Sequence, residues 1–449
     1  MAGGTWTSQT KVRPGAYINF KAVPKGSLTV GDRGIVAMGL PLSWGANGSL
    51  IEVLSADLLN GNSMKLVGFT ANDSASKLLA SALKYCYKAL VFRTDVGGSK
   101  AAVTPTGTGL ICTAKYAGTL GNSLSIAITV NSGIYTIISY LNGAIVDQQK
   151  VATIGEIVSN DYIDFSQVGS TESNYGVLVA TTATLAGGTN GTVTESSAYT
   201  AMFALLEVAK WQTFASFSVT SGTLANVVTF IERLRNDEGR YVQAVVANYD
   251  SANTEGIINV VNGATINNVV FTAAEMCSIV AGMTAGADIN QSNTARVIEG
   301  ATAISGALTD EQIKAALSAG KFVLSSSTSG NVKVEQDINS LHNYPADKNY
   351  AFTKNRVIRT LDEIGTSIKQ TWEDVYMGKV NNNETGRALF RADIVQYMFE
   401  LQRLNAIQNF AVEDVEVSQG TELDAVVVDL AVMPVDSMEK LYMTVNVNS

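Results

Sequence analysis

A charge-poor, Gly/Thr/Ser-rich segment in the first half of the chain constrains the fold most, because it contains short strand-like runs that turn signals connect. Strands are predicted at Leu124 to Val130, Tyr135 to Leu141 and Ile145 to Val151. Asn142-Gly143 lies between the last two, and both residues tolerate the positive φ angles of a type I′ hairpin. We therefore predict a β-rich domain inserted at residues 100–193.

Outside that segment, helix and strand patterns alternate along the chain. The stretches that carry these patterns are Asp73 to Cys86, Leu90 to Arg93, Ala198 to Lys210, Leu224 to Arg235, Tyr241 to Ala247 and Lys321 to Ser325. Thr309 and Gln312 predict a capping box for a further helix, which Gly320 would end. Alternation of this kind implies a mostly parallel sheet that is covered by helices.

The last hundred residues contain two long amphipathic helix patterns followed by two strand patterns. The helices carry apolar faces from Val357 to Val375 and from Phe390 to Leu404. The strands are predicted at Asp424 to Met433 and Lys440 to Val447. We therefore expect a C-terminal domain built from helices and a small sheet.

Each end of the chain carries a lone alternating strand pattern, Gly15 to Phe20 at the start and Lys440 to Val447 at the end. A lone strand presents unpaired N–H and C=O groups, and proteins usually cover such edges unless strand addition is their purpose. The pattern therefore favours terminal arms that pair with a sheet in another copy of the chain.

Together these patterns predict an α+β or α/β multidomain protein. It would have a mostly parallel α/β core, an inserted β-rich domain and a C-terminal helix-plus-sheet domain with strand-donating terminal arms. The predicted limits are 1–22 for the N-terminal arm, 23–99 for the first part of the core, 100–193 for the insertion, 194–348 for the rest of the core, 349–437 for the C-terminal domain and 438–449 for the C-terminal arm.

The composition bears on partners. Charged residues make up only 16% of the chain, against about 25% in ordinary globular proteins. Such a shortage indicates either very large cores or surfaces that contact other chains. A net charge of -9 opposes a polyanion, so nucleic acid is not expected as a partner. The sequence shows no signal-peptide pattern and no run of eighteen apolar residues, so neither secretion nor membrane insertion is expected.

Residue types that carry catalysis or bind metals are scarce. His342 is the single histidine, and it lies in a loop-like stretch where a surface position is expected. No spacing of Cys and His resembles a zinc site. Cys86, Cys112 and Cys277 are scattered singly and are expected to be reduced core thiols. We therefore predict no catalytic residue, no cofactor and no bound metal.

Two carboxylate pairs and one glycine-rich run are the remaining candidates for chemistry. Asp362-Glu363 and Glu373-Asp374 could be catalytic carboxylates or cation ligands, but solvated charges on the polar side of a helix are the favoured interpretation. Gly187 to Gly191 could cradle a phosphate, yet it lacks the Lys-Ser/Thr ending of a P-loop. It is better interpreted as a linker at the exit of the inserted domain.

The region from Lys354 to Phe410 is enriched in basic residues, although the chain as a whole is acidic. This enrichment fits an electrostatic docking face, and it fits a solvated helix surface equally well.

Seven parts of the chain carry a family resemblance that periodicity alone does not supply. They are Leu40 to Gly45, Ala114 to Asn122, Glu255 to Val260, Gln336 to Leu341, Lys354 to Arg359 with Leu361-Asp362, Gly378 to Asn382 with Gly386-Arg387, and Pro434 to Tyr442. They resemble the contractile tail sheath family, most of all its members from Gram-positive phages and phage-tail-like bacteriocins. The likeness spans nearly the whole chain.

The resemblance implies a structural subunit with no catalytic residue. Such subunits stack as hexameric rings around an inner tube and contract to drive the tube through the envelope of a target cell. The implied partners are further copies of the chain, the inner tail tube protein, and the baseplate and tail terminator proteins. Assembly would take place in the cytoplasm of a bacterial host, and the product would be a virion tail or a released tail-like particle.

The resemblance also implies that the terminal arms donate strands to neighbouring subunits. The arm residues are Ala16, Tyr17, Ile18, Asn19 and Phe20 at one end, and Leu441, Tyr442, Met443, Thr444, Val445, Asn446 and Val447 at the other. Within the basic region, the expected tube-facing residues are Lys369, Lys379, Arg387 and Arg391.

Two other classes stay open on the sequence alone. A self-assembling surface-layer or adhesin-like protein would fit the low charge and the Gly/Thr-rich segment, although the export signal it needs is not seen. An enzyme with a parallel-sheet nucleotide domain is the third possibility.

Overall fold

The computed structural model describes the backbone of residues 2–4 and 15–17, and residues 33–447 in full. The chain divides into two compact units, one of residues 1–30 and 367–433 and the other of residues 31–366 and 434–449. Helices and sheets occur together, so the mixed α/β class predicted from the sequence is confirmed.

A seven-stranded sheet forms the centre of the larger unit. Its strands in spatial order are Lys321–Phe322, Ile257–Val260, Gln243–Ala247, Thr213–Ala215, Ile35–Leu40, Lys88–Arg93 and Leu50–Leu54. All neighbouring pairs are parallel except the last, in which Leu50–Leu54 runs antiparallel to its neighbour. The strands are therefore mostly parallel, as the alternating patterns predict.

Helices cover both faces of this sheet. The helices are Ser55–Asn60, Ser63–Val67, Lys77–Leu83 and Ala273–Ala285 on one face, and Glu195–Leu206 and Ser221–Asn236 on the other. Val36 and Met38 point into the first core, whereas Ile35 and Ala37 point into the second. Both faces of the strand are thus buried, which explains its continuous apolar sequence.

Two helices begin about one turn before their apolar stripes. Glu195–Leu206 precedes the predicted start at Ala198, and Ser221–Asn236 precedes the predicted start at Leu224. The difference arises because first turns are rich in polar residues, which an apolar period does not detect. The helix Asp310–Ser318 does have the predicted capping box, with the Gln312 N–H donating to Thr309 Oγ1 at 3.3 Å.

Smaller sheets extend the larger unit. Gly263–Ile266 pairs with Val269–Phe271 and with Ala301–Ser305. Leu324–Ser326 pairs with Val332–Val334 in a hairpin. The predicted strand from Lys321 to Ser325 is therefore two strands in different sheets, because the chain changes direction between Phe322 and Leu324.

The predicted β-rich segment contains two antiparallel sheets with a shared apolar core. The first sheet has the order Ala144–Val151, Ile134–Leu141, Leu124–Asn131 and Thr181–Thr184, and the second has the order Ile163–Gln167, Leu110–Ala114 and Ala102–Val103. Asn142 and Gly143 have φ angles of 50° and 80°, which confirms the predicted turn.

A short strand pair joins this segment to the central sheet, Asp95–Val96 with Thr192–Val193. Asp95 is buried, binds Arg93 and also accepts the Leu42 N–H at 2.8 Å. The glycine-rich run lies here too, with the Gly191 N–H donating to Asp95 at 3.2 Å. This location agrees with the linker interpretation, because the hydrogen bond to Asp95 places the glycine-rich run beside the strand pair that connects the β-rich segment to the central sheet.

The smaller unit contains helices and a hairpin. The helix Asn355–Thr371 divides between the two units, a π-helical turn follows at Trp372–Tyr376, and the next helix is Glu384–Arg403. The hairpin consists of Val415–Gln419 and Val426–Leu430, so its second strand is shorter than the predicted Asp424 to Met433.

The interpretation of Asp362-Glu363 as solvated charges is wrong. Both residues are buried, and Asp362 forms a bidentate ion pair with Arg235, at 2.7 and 2.8 Å. The helix pattern placed these residues on a polar face, but that face contacts another charged element of the larger unit instead of water. Glu373 and Asp374 are exposed, as predicted.

Candidate functional site

Among the residues that the structure describes, the C-terminal segment carries the clearest run of exposed apolar side chains. Residues 440–447 form no helix or strand there. Four alternating side chains are exposed to between 71% and 87%, namely Leu441, Met443, Val445 and Val447. Tyr442, Thr444 and Asn446 are exposed as well. An apolar strip of this kind normally marks a surface that another chain covers.

The N-terminal pattern forms a strand within its own chain. Gly15–Tyr17 pairs in parallel with Ala2–Gly4, with Ala16 opposite Gly3 and Tyr17 opposite Gly4. Ile18, Asn19 and Phe20 lie outside the described residues. A three-residue, two-stranded pair is marginal on its own, so its pairing in an assembly stays a prediction.

The hairpin of the smaller unit offers sheet edges. Val415–Gln419 and Val426–Leu430 pair only with each other among residues 33–447. Val427 is 51% exposed, whereas Val415 is buried. Because an edge strand leaves alternate N–H and C=O groups unpaired, the hairpin can accept a further strand.

The four predicted tube-facing residues are spread over two helices of the smaller unit and the turn between them. Lys369 is exposed on the last turn of Asn355–Thr371, and Lys379 is exposed after the π-helical turn, where it donates to the Asp374 carbonyl. The described hydrogen bonds and ion pairs do not join these four residues to one another. Their contact with a tube therefore stays a prediction.

The two arginines of that set lie on the helix Glu384–Arg403 and have intramolecular partners outside it. Arg387 Nη1 donates to Asn382 Oδ1 at 2.9 Å. Arg391 Nε donates to the Val415 carbonyl at 2.7 Å, and its Nη2 donates to the Val412 carbonyl. Arg391 therefore ties the helix to the start of the hairpin, a role that the sequence analysis missed because the partner is a backbone group.

A groove of about 560 Å³ lies beside this hairpin. Trp372, Tyr376 and Phe390 line its aromatic side, and the rings of Tyr376 and Phe390 are 4.6 Å apart. Tyr376 Oη donates to Asp393 at 2.5 Å. Burial, together with this hydrogen bond to a carboxylate, raises the pKa of Tyr376 well above its usual range. The phenol therefore stays neutral and acts as a packing and hydrogen-bonding group.

Groups that could support catalysis are engaged in structural contacts. Within the described ranges, no cluster of three or more His, Cys, Asp or Glu residues could hold a metal ion. Cys86, Cys112 and Cys277 are buried and free, and burial raises the pKa of each thiol. His342 Nδ1 lies 2.8 Å from the Ser340 carbonyl. None of the helices in that described part has the length and hydropathy of a membrane span.

Comparison with known proteins agrees with this arrangement. Residues 96–190 match the phage tail sheath protein beta-sandwich domain, residues 191–340 the phage tail sheath protein central domain, and residues 347–448 the phage tail sheath C-terminal domain. The phage-like element PBSX protein XkdK of Bacillus subtilis strain 168 is 32% identical, with both chains covered in full.

Two solved structures extend the comparison. The sheath tail protein of Desulfitobacterium hafniense is 36% identical with a TM-score of 0.81, over 96% of this chain and 99% of that one. The helical sheath of the anti-feeding prophage in its contracted state has a TM-score of 0.59 at 12% identity, over 97% and 99% of the two chains, which shows a shared fold.

The fold and the matched domains define a structural protein of phage tail sheaths and not an enzyme. The chain belongs to the phage tail sheath protein family.

Proposed function

We propose that this chain is the repeating subunit of a contractile sheath, polymerising as stacked hexameric rings around an inner tube. Contraction of the sheath drives the tube through the envelope of a target cell. The observation that carries the proposal is the exposed apolar strip from Leu441 to Val447. Such a strip is buried when it adds as a strand to a sheet of another copy.

The terminal arms act as strand donors in this proposal, and the hairpin of the smaller unit acts as the acceptor. The C-terminal arm alternates apolar and polar side chains, so one face can pack while the other stays in water. The hairpin supports this role because its strands have no other strand neighbour within 33–447. The N-terminal arm, with Ala16 to Phe20, is proposed to join the same kind of sheet.

Strand addition gives each junction enough strength to persist. If a ladder hydrogen bond contributes about 0.5 to 1.5 kcal/mol, an arm that forms roughly six bonds contributes several kcal/mol per junction. Donor and acceptor are different segments of the chain, so the proposed contact is head-to-tail and can build an open helix.

Contraction needs two packings of the same subunits. The junctions hold the subunits together while softer interfaces between them repack. A small free-energy difference per subunit, summed along the sheath, drives the change, and a kinetic barrier retains the extended form.

The proposed partners follow from this arrangement. They are further copies of the chain, the inner tube protein, and baseplate and tail terminator proteins at the two ends. The 349–437 region faces the tube, with Lys369, Lys379, Arg387 and Arg391 as candidate contacts. Assembly takes place in the host cytoplasm, in a virion tail or a released particle, and neither nucleic acid nor membrane insertion takes part.

The test is to remove Lys440 to Ser449 and image the purified chain by negative-stain electron microscopy under conditions in which the full chain polymerises. Sheath polymers should be lost. Melting should stay cooperative and close to that of the full chain, because the exposed strip stabilises nothing in the monomer.

A single substitution provides a milder version of this test. Val445→Pro removes one N–H from the donated strand, so it should abolish polymers as well. Val445→Thr is the matched control, because Thr is also β-branched and keeps the N–H, and it should polymerise. Full-length sheaths from the truncated chain would refute strand donation, and unfolding of its monomer would show that the arm belongs to its own subunit.

A further inference from the structure

The last residue of the C-terminal segment with an anchored side chain is Glu439. Its Oε1 accepts a hydrogen bond from Thr294 Oγ1 at 2.7 Å, and its Oε2 accepts one from Gln336 Nε2 at 2.6 Å. Lys354 Nζ forms an ion pair with the same carboxylate. Asp436, three residues earlier, lies 3.7 Å from the same ammonium group.

Glu439 is the last described side chain of the C-terminal segment that is not exposed, although Met438 beside it is fully exposed. The side chains of Lys354 and Glu439 are only 5% and 10% exposed. Two residues later Leu441 is 85% exposed, and the rest of the described arm is exposed as well. Glu439 thus marks a boundary between an anchored segment and a free one, one residue inside the arm limit predicted at 438.

Three segments that are distant in sequence supply the partners. Gln336 follows the strand Val332–Val334, Lys354 precedes the helix Asn355–Thr371, and Thr294 lies in a loop. Gln336, Lys354 and Glu439 each fall within a stretch that carries the family resemblance. All four residues belong to the larger unit.

We propose that Glu439 is a positioning residue that fixes the root of the C-terminal arm to the larger unit, so that the donated strand leaves every subunit from one defined point. The inference rests on the proposed strand donation and adds which unit carries the arm.

The anchor matters because it sets the length of free chain. With Glu439 held, the arm begins at Lys440 and has ten residues. Without it, the five residues from 435 to 439 join the arm, because Pro434 itself lies in a β-bridge. Effective concentration falls roughly as the −3/2 power of tether length, so about a twofold loss follows from length alone. A slack root also transmits less of one subunit's rotation to the next.

The site retains its charge at neutral pH. Burial alone would raise the pKa of Glu439, but hydrogen bonds from Lys354, Gln336 and Thr294 outweigh burial and hold that pKa below its usual value. The Lys354 ammonium faces Asp436 and the Tyr350 ring in addition to Glu439, and these neighbours keep its pKa above the usual value despite burial.

The experiment measures the motion of the arm root in the full-length monomer. A nitroxide label is placed at Lys440→Cys or at Asn446→Cys, since the three native cysteines are buried and react poorly. Spin-label spectra should show restricted motion at 440 and free motion at 446. Glu439→Gln should make the label at 440 as mobile as the label at 446, because its amide N–H₂ would replace one of the two accepting oxygens and would face hydrogen-bond donors there. Glu172→Gln, an exposed position, should change neither spectrum.

A second variant guards against misfolding. Glu439→Gln combined with Lys354→Gln also removes the buried ammonium, which the single change leaves with only Asp436, at 3.7 Å, as a carboxylate partner. The double variant should release the root while melting stays cooperative. Both variants should need about twice the wild-type protein concentration to polymerise.

The outcomes separate this inference from strand donation itself. An unchanged spectrum at 440 in both variants, or released roots with unaltered polymerisation, would overturn the role of Glu439 while leaving strand donation intact. Polymerisation of the chain that lacks 440–449 would instead refute the donation on which the inference rests.

Discussion

In the strand Ile134–Leu141 of the β-rich segment, burial alternates from Ile137 onward. In the arm from Leu441 to Val447, apolar and polar side chains alternate, but the arm has the opposite surroundings. The strand pairs on both sides, with Leu124–Asn131 and Ala144–Val151, and Ile137 is fully buried. The arm has no strand partner among the described residues, and Val445 is 71% exposed. A two-residue period therefore predicts which side chains share one face of a strand. Whether the same chain or another copy covers that face depends on how the strand is connected to its neighbours.

The difference follows from the loops. A two-residue turn at Asn142-Gly143 returns the chain directly alongside Ile134–Leu141, so its partner is local and forms at little entropic cost. The C-terminal arm follows the Glu439 anchor and has no such turn. A strand that no tight turn connects to a neighbouring strand pairs within its own chain only if a free sheet edge lies close enough. Otherwise it pairs with another copy of the chain.

The largest effect on monomer stability is expected at Ile137. Ile137→Ala should lower the free energy of unfolding by about 2 to 5 kcal/mol, because it leaves a cavity in a filled core. Val445→Ala should change it by less than about 0.5 kcal/mol, since the side chain is exposed in the monomer. Chemical denaturation of both variants measures the contrast. A loss above 1 kcal/mol in the Val445 variant would show that the arm is packed in its own subunit.

A smaller, salt-dependent effect is expected at the basic residues. Lys369→Glu combined with Lys379→Glu should slow sheath growth on purified tubes by roughly tenfold at low salt, because charge complementarity acts mainly on association rates. The effect should shrink as salt screens the charges. Light scattering during tube-templated growth provides the measurement.

The control for that prediction reverses two exposed lysines elsewhere. Lys150→Glu combined with Lys210→Glu makes the same change in net charge, and both side chains are exposed in the larger unit. Growth that slows equally in the two double variants would point to overall charge in place of a tube-facing patch.

Local signals in the sequence predicted much of the fold. The three strands around Asn142-Gly143 and the capped helix after Thr309 lie where their patterns indicate, since each depends on neighbours within a few residues. The π-helical turn at Trp372–Tyr376 was missed, because it replaces the end of an otherwise regular helical period. The resemblance supplied the function class, which composition alone left open.

Long-range polar contacts could not be predicted in the same way. The sequence predicts a solvated charge at Asp362, whereas in the structure it pairs with Arg235, which is 127 residues away in sequence. Glu439 reads as part of a free arm until Thr294, Gln336 and Lys354 converge on it. Tertiary packing determines such partners, and the local sequence around each carboxylate does not predict them.

Amide hydrogen exchange on residues 441–447, compared between the monomer and the assembled sheath, tests strand donation most directly. In the monomer these amides should exchange at nearly the rate of an unfolded chain, because no described backbone acceptor pairs with them. In the sheath, at least alternate amides should be slowed by about a hundredfold or more as the arm joins a neighbouring sheet. Equal rates in the two states would contradict strand donation.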